Sequence, residues 1–407
     1  MIKIENARTA TGERVDLEIQ TDEQRVINAE HLTFLPALID PHVHFRTPGL
    51  EHKEDWRTAA KASIRGGYTT VFDMPNTLPP TITEKLLQEK KQIINKQLQE
   101  IGIPLRYQLF FGADKHHLTE LHKTKNEAIG IKVFMGCSTG NLVIDDDESL
   151  HAVFAIAATQ NMLVAVHAED EELMRERANN YKGPQPYDIH SVIRNEEVAA
   201  RAVEKAIFLA KLYGTKLYLL HVSTEDEINL IRQAKQERLA VYAETTPHHL
   251  FLNNSYYEQW QGKVVMNPPL RAKHHQEALF AAIHDDIIDT IGSDHAPHTL
   301  DEKNKRYGEC PAGVPGIETA LPLLLNAHFE DKLFLHEIVS LTSKRAQEIF
   351  NLPVNDDFVL VDLNKEKMVT DADLKTKCGW SPFAGRKLRG WPVYTVLKNR
   401  LYDLNSF

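Results

Sequence analysis

The stretch Phe34-Leu35-Pro36-Ala37-Leu38-Ile39-Asp40-Pro41-His42-Val43-His44 is an apolar run that ends in His-x-His. In a β-strand, residues two apart project to the same face. His42 and His44 would therefore point the same way at the carboxyl end of a strand, where two imidazoles can share one divalent cation, most plausibly Zn²⁺. Working outward, strand-like segments are expected at 34–39, 69–73, 105–111, 130–134, 162–167, 216–221, 239–244 and 287–292. Amphipathic stretches at 53–65, 84–98, 191–212, 225–236 and 276–283 fall between them, with apolar positions recurring at three and four residues. This alternation predicts an α/β fold, a (β/α)₈ TIM barrel over residues 34–350. Residues 1–33 carry strand patterns and turn signals, and 351–407 return to strands after a helical stretch at 335–350. The two ends are expected to join as one small composite β subdomain beside the barrel.

Composition narrows the class. The chain has 407 residues, 42% apolar and 26% charged, as in ordinary soluble globular proteins. No apolar run reaches the roughly 18 residues that span a bilayer, and the first residues read as an alternating strand without a signal-peptide core, so no membrane partner is expected. The three cysteines (Cys137, Cys310, Cys378) are scattered and form no CxxC, which points to a reducing cytoplasm. A net charge of −10 argues against a nucleic-acid surface. The expected partner is a small-molecule substrate, and the expected assembly a homodimer.

Barrel active sites gather at the carboxyl ends of the strands. His42 and His44 end the first expected strand, Lys132 lies in the fourth, His167 and His221 end the fifth and sixth, and Asp294 follows the eighth. Four histidines and an aspartate at strand ends are hard to obtain from packing needs alone. Lys132 follows an apolar strand start, and its ammonium would be repelled by two nearby Zn²⁺ ions. As the CO₂ adduct, a carbamate, it would instead offer two oxygens to bridge them; the competing bridge is one of Asp145, Asp146 and Asp147 just downstream. Such a pair of ions lowers the pKa of a shared water towards neutrality, and Asp294 can carry the proton from that water to a leaving nitrogen. The implied chemistry is metal-assisted cleavage or formation of an amide C–N bond. Arg46 shares the face of the two histidines and can clamp a carboxylate with two parallel hydrogen bonds. Asn76, Asn267 and His298 are further candidate substrate contacts, and 299–316 suits a loop that closes over ligand.

Three motifs, Asp40-Pro41-His42-Val43-His44-Phe45-Arg46-Thr47-Pro48-Gly49, Met74-Pro75-Asn76-Thr77 and Gly292-Ser293-Asp294-His295-Ala296-Pro297-His298-Thr299, resemble dihydroorotase of the amidohydrolase superfamily. The likeness runs through nearly the whole chain. It implies a distorted TIM barrel with a composite β subdomain, two Zn²⁺ ions per subunit and a carboxylated lysine. It also implies reversible cyclisation of N-carbamoyl-L-aspartate to dihydroorotate in pyrimidine biosynthesis. By position, His42, His44 and Asp294 would bind the more buried ion, and His167 and His221 the other, with carboxylated Lys132 between. Arg46, Asn76 and His298 would hold the substrate carboxylate, and Ala312 and Gly313 would meet the ring through their backbone. Many long-chain dihydroorotases bridge with an aspartate; Ile131-Lys132-Val133-Phe134-Met135-Gly136 looks more like the lysine-bridged members. The alternatives are a dihydropyrimidinase, hydantoinase or allantoinase, whose neutral rings give Arg46 no carboxylate, and a catalytically inactive dihydroorotase-like partner subunit.

Overall fold

Residues 1–137 and 142–407 are described in the structure, a computed structural model. Eight parallel strands follow one another in sequence order around a barrel, from Leu38–Val43 to Thr290–Ile291. The ring closes where Val43 bridges His295 in parallel, with the His44 N–H donating to the His295 carbonyl at 2.8 Å. The barrel interior is filled by Ile39, Phe72, Phe110, Ala165 and Tyr218, and Phe350 from the last helical turn joins them, with ring centroids 4.8 Å from Phe72 and 5.1 Å from Tyr218. A separate seven-stranded sheet unites the chain ends: Thr33–Pro36 of the N-terminal strands pairs with Phe358–Met368, which pairs with Lys387–Leu397, which in turn pairs with Arg400–Asp403.

The opening apolar run divides between the two sheets. Thr33–Pro36 pairs antiparallel with Phe358–Met368 in the terminal sheet, and the barrel strand begins only at Leu38. Leu35, Ala37, Leu38 and Ile39 are all buried across the break, so apolar patterning gives no sign of the change of partner. The expected helix at 191–212 is also broken: Ile189–Ile193 stops, and Asn195 caps a new helix, Glu196–Tyr213, by accepting from the Val198 N–H. The eighth strand shrinks to Thr290–Ile291, because Ile287 and Ile288 close the preceding helix onto the Ala282 carbonyl. Helices 84–101 and 225–236 match their sequence signals, with Thr83 and Thr224 as caps and Gly102 in the left-handed position after the first.

One buried ion pair ties this scaffold to the His-x-His segment. Lys90, from the helix Glu84–Ile101, meets Asp73 at the end of the second barrel strand at 2.6 Å, both essentially unexposed. The other Asp73 oxygen accepts the Phe45 N–H at 2.8 Å, between His44 and Arg46. Removing one member of a buried pair leaves an uncompensated charge at a cost of about 3–5 kcal/mol. Lys90→Met should therefore lower unfolding stability by that order in a urea titration; a loss below about 1 kcal/mol would mean that Asp73 needs no cation.

Candidate metal centre and active site

All the expected site residues except His298 line one cavity at the carboxyl end of the barrel, together with Phe134 and Ala296. His42 Nε2 and His44 Nε2 lie 3.3 and 3.1 Å from Asp294 Oδ1. The three side chains offer donor atoms within 4.8 Å of one another, a spacing that one ion can join. Their far nitrogens are engaged: His42 Nδ1 donates to Glu244 Oε1 and His44 Nδ1 to Asn76 Oδ1, each at 2.7 Å. That fixes both tautomers and turns the Nε2 lone pairs into the cavity. Beside them, with the His221 ring centroid 5.4 Å from that of His42, His167 Nε2 donates to Glu169 at 2.8 Å, which leaves its Nδ1 facing His221 Nε2 at 2.9 Å. The Lys132 amine lies among them, 4.5 Å from the centre of the Phe134 ring and 1% exposed. Asp145, Asp146 and Asp147 lie elsewhere: Asp145 pairs with Arg175, Asp146 caps the helix Asp147–Gln160, and Asp147 meets Lys205.

The charge states suit a cation. Burial lowers His42 and His44 to about 4 and drives His221 well below the usual range, so these imidazoles are neutral ligands at pH 7. Burial works against the Asp294 carboxylate, but His42 and His44 outweigh it and hold the group ionised. Glu244, fully buried, is pushed up to about 8, the mark of a carboxylate enclosed with too little positive charge around it. His221 Nδ1 is buried without a hydrogen-bond partner. The donor set and the unbalanced Glu244 carboxylate both fit bound metal.

Local backbone geometry aims these groups. Arg46, His221 and Asp294 all adopt positive φ, at 63°, 41° and 44°. Non-glycine residues pay about 1–3 kcal/mol for such conformations, which persist where the surroundings enforce them and cluster at functional sites. Here each lies just past a strand end, where the turn of the backbone redirects the side chain into the cavity. Gly292 is required for a different reason: a Cβ there would lie 2.4 Å from the Glu244 carboxyl carbon.

Residues 33–376 match the model of the amidohydrolase family. This chain belongs to the amidohydrolase family. It is 32% identical to the dihydroorotase of Methanosphaera stadtmanae, over 100% of this chain and 93% of that protein. It is 34% identical to the dihydroorotase of Methanosarcina acetivorans, over 98% and 87%. Among solved structures, L-hydantoinase (dihydropyrimidinase) from Arthrobacter aurescens shares the fold with a TM-score of 0.92 at 25% identity, over 98% of this chain and 95% of that one. The chain is thus a hydrolase, with the barrel of the cyclic amidohydrolases and a His-His-Asp group at its mouth.

In this amidohydrolase Arg46 is 2% exposed and donates from Nε to the Pro297 carbonyl at 3.1 Å. His298 is buried behind it, 3.1 Å from Arg46 Nη2, and its Nδ1 accepts from the Lys53 amine at 3.0 Å. The residues that sequence reading missed are the supporting ones. Glu244 is the penultimate residue of the seventh strand, Val241–Thr245, and also accepts from the Tyr218 hydroxyl at 2.9 Å; an acidic residue near the end of an otherwise uncharged strand was its signal. Glu169 follows His167 by two positions and so shares its face, and it pairs with Arg194. Trp380 and Thr376, from the C-terminal segment, bond to the His298 carbonyl and to Glu54 at the barrel mouth, and no local pattern announces that contact. Outer partners of ligating histidines typically contribute about 10–100-fold to metal affinity. Glu244→Gln should weaken divalent-metal binding by that factor in a chelator competition; unchanged affinity would show that Glu244 does not tune His42.

Proposed function

We propose that this chain is a zinc-dependent dihydroorotase, which reversibly hydrolyses the cyclic amide of (S)-dihydroorotate to N-carbamoyl-L-aspartate in pyrimidine biosynthesis. The observation that carries this reading is Arg46, a buried guanidinium on the wall of the same cavity as the His, Asp and Lys set. Burial draws it down only to about 10, so it is cationic at neutral pH. A buried guanidinium in a substrate cavity calls for an anion, and dihydroorotate carries a ring carboxylate that hydantoins and dihydropyrimidines lack. The names of the curated relatives support the same choice.

His42, His44 and Asp294 would hold one Zn²⁺ and His167 and His221 a second, with Lys132 as its carbamate between them. Bound zinc would supply Lewis acidity at the ring carbonyl and an acidified water. The protein's own groups do the rest. Arg46 and Asn76 anchor the substrate carboxylate and set the ring's orientation, with His298 packed behind the guanidinium. Asp294, ionised beside His42 and His44, takes a proton from the attacking water on a carboxylate oxygen. The same oxygen returns it to the ring nitrogen as the C–N bond breaks. Lys132 is suited to carbamate formation: burial lowers its ammonium to about 7, so much of it is the neutral amine that adds CO₂. Among the described residues no helix is long and apolar enough to cross a membrane. The proposed setting is the cytoplasm, and the proposed assembly a homodimer.

The deciding experiment compares rates on dihydroorotate, dihydrouracil and allantoin, with zinc measured on the same sample. Turnover of dihydroorotate alone is expected; preference for a neutral ring would select the hydantoinase-type reading. Arg46→Met should reduce kcat/KM for dihydroorotate by at least ~30-fold, from the ~2–5 kcal/mol of a truncated buried charge pair. Residual activity on an uncharged ring should fall far less, and equal losses would remove Arg46 as the carboxylate reader. Protein equilibrated with ¹³C-bicarbonate and zinc should show a carbamate carbon resonance that is absent from Lys132→Arg. Persistence of that signal in the variant would assign the carbamate elsewhere.

A further inference from the structure

Lys303 is as deeply buried as the site lysine, 1% exposed, yet it lies outside the metal cluster. Its Nζ donates to three backbone carbonyls, Val265 at 2.9 Å, Pro311 at 2.8 Å and Gly313 at 2.9 Å. An ammonium has three N–H donors, so all are used, and all on neutral oxygens. Burial pulls the group down to about 8, the expected consequence of enclosing a cation this way. Such burial is costly, and simple loop packing does not require it. A full positive charge is, however, an effective way to draw three carbonyl dipoles from two chain segments to one point.

Those segments form one wall of the substrate cavity. Val265 stands two residues before Asn267, while Pro311 and Gly313 flank Ala312, and Asn267, Ala312 and Gly313 all line the cavity. The Gly313 N–H donates back to the Val265 carbonyl at 3.0 Å, which joins the two segments directly. The remaining carbonyl, that of Ala312, accepts from His298 Nε2 at 2.9 Å. Three successive carbonyls, 311 to 313, are thus held by side chains of the segment that begins at His298. Gly313 has a φ of 135°, and a Cβ there would lie 2.6 Å from the Ala296 carbonyl oxygen, so the wall approaches the strand-eight loop as closely as backbone can. The part of 299–316 that faces the cavity is anchored from behind.

We propose that Lys303 is a positioning residue for substrate, whose buried ammonium fixes the Asn267 and Ala312–Gly313 wall against which the ring of a cyclic amide is placed. The assignment rests on the cyclic-amide reading above for the identity of the ligand, but not for the anchoring itself. Lys303 touches neither substrate nor metal; it acts through the backbone it holds.

Lys303→Met keeps the aliphatic stem and removes the ammonium. With zinc-loaded protein, KM for dihydroorotate should rise about tenfold or more while kcat stays within about threefold, the signature of lost ground-state positioning. Bound zinc should be unchanged, and the Gly313 amide should exchange with deuterium at least about tenfold faster in the unliganded protein, because its partner segment is released. A lower melting temperature with unaltered KM and exchange would make Lys303 merely structural and overturn the proposal, as would a fall in kcat that follows loss of zinc. If the Met variant does not fold, Lys303→Gln carries the same two measurements, with a smaller rise in KM expected; unchanged KM and exchange in it count equally against the proposal. Should the wild-type protein fail to turn over dihydroorotate, the functional reading fails, while the exchange comparison still decides whether Lys303 holds this wall.

Discussion

The active site depends on how the barrel closes. The first and eighth strands are far apart in sequence, and their ends meet through a bridge between Val43 and His295 and the hydrogen bond from the His44 N–H to the His295 carbonyl. That contact sets His42 and His44 against Asp294, the neighbour of His295. Without closure, a histidine pair and an aspartate some 250 residues apart would have no common focus. Asp40 reinforces the seam by accepting both the Ser293 N–H at 2.9 Å and the His42 N–H at 3.2 Å.

Around this seam the protein encloses an unusual density of charge, and each group is kept by a specific partner. Asp73 has Lys90, Glu169 has Arg194 and His167, Lys53 has Glu302, and Lys303 has three carbonyls. Glu244 stands directly behind His42, and burial raises it despite the hydrogen bonds from the Tyr218 hydroxyl and the His221 N–H. Buried polar networks of this kind lose much when half satisfied. The positive φ values of Arg46, His221 and Asp294 belong to the same pattern: the scaffold holds strained backbone where side chains must leave the strand direction.

Much of this was legible because strand alternation and barrel topology are local rules with global consequences. His-x-His after an apolar run, single histidines at later strand ends and a late aspartate are enough to predict a convergent mouth, and eleven of the twelve expected residues do line one cavity. The failures have equally physical causes. Pro36 and Leu38 read as one strand because both are flanked by buried apolar residues, yet they serve different sheets. Arg194 interrupts a periodic helix because Asn195 supplies a better start for the next one. His298 remains a proposed substrate contact, held between the Arg46 guanidinium and the Lys53 amine.

The amino-acid sequence by itself determined the alternation of strands and helices, the faces on which the metal-ligand candidates lie, and the presence of a basic side chain beside them. These follow from fixed periods of 2 and 3.6 residues and from the donor chemistry of each side chain. Only the tertiary structure decided which groups stand behind them: Glu244 and Glu169 orienting imidazoles, the C-terminal Thr376 and Trp380 closing the mouth, and Lys303 gathering three carbonyls. Those contacts join segments distant in sequence, and their strength comes from burial and low local polarity, which no short stretch of chain can display.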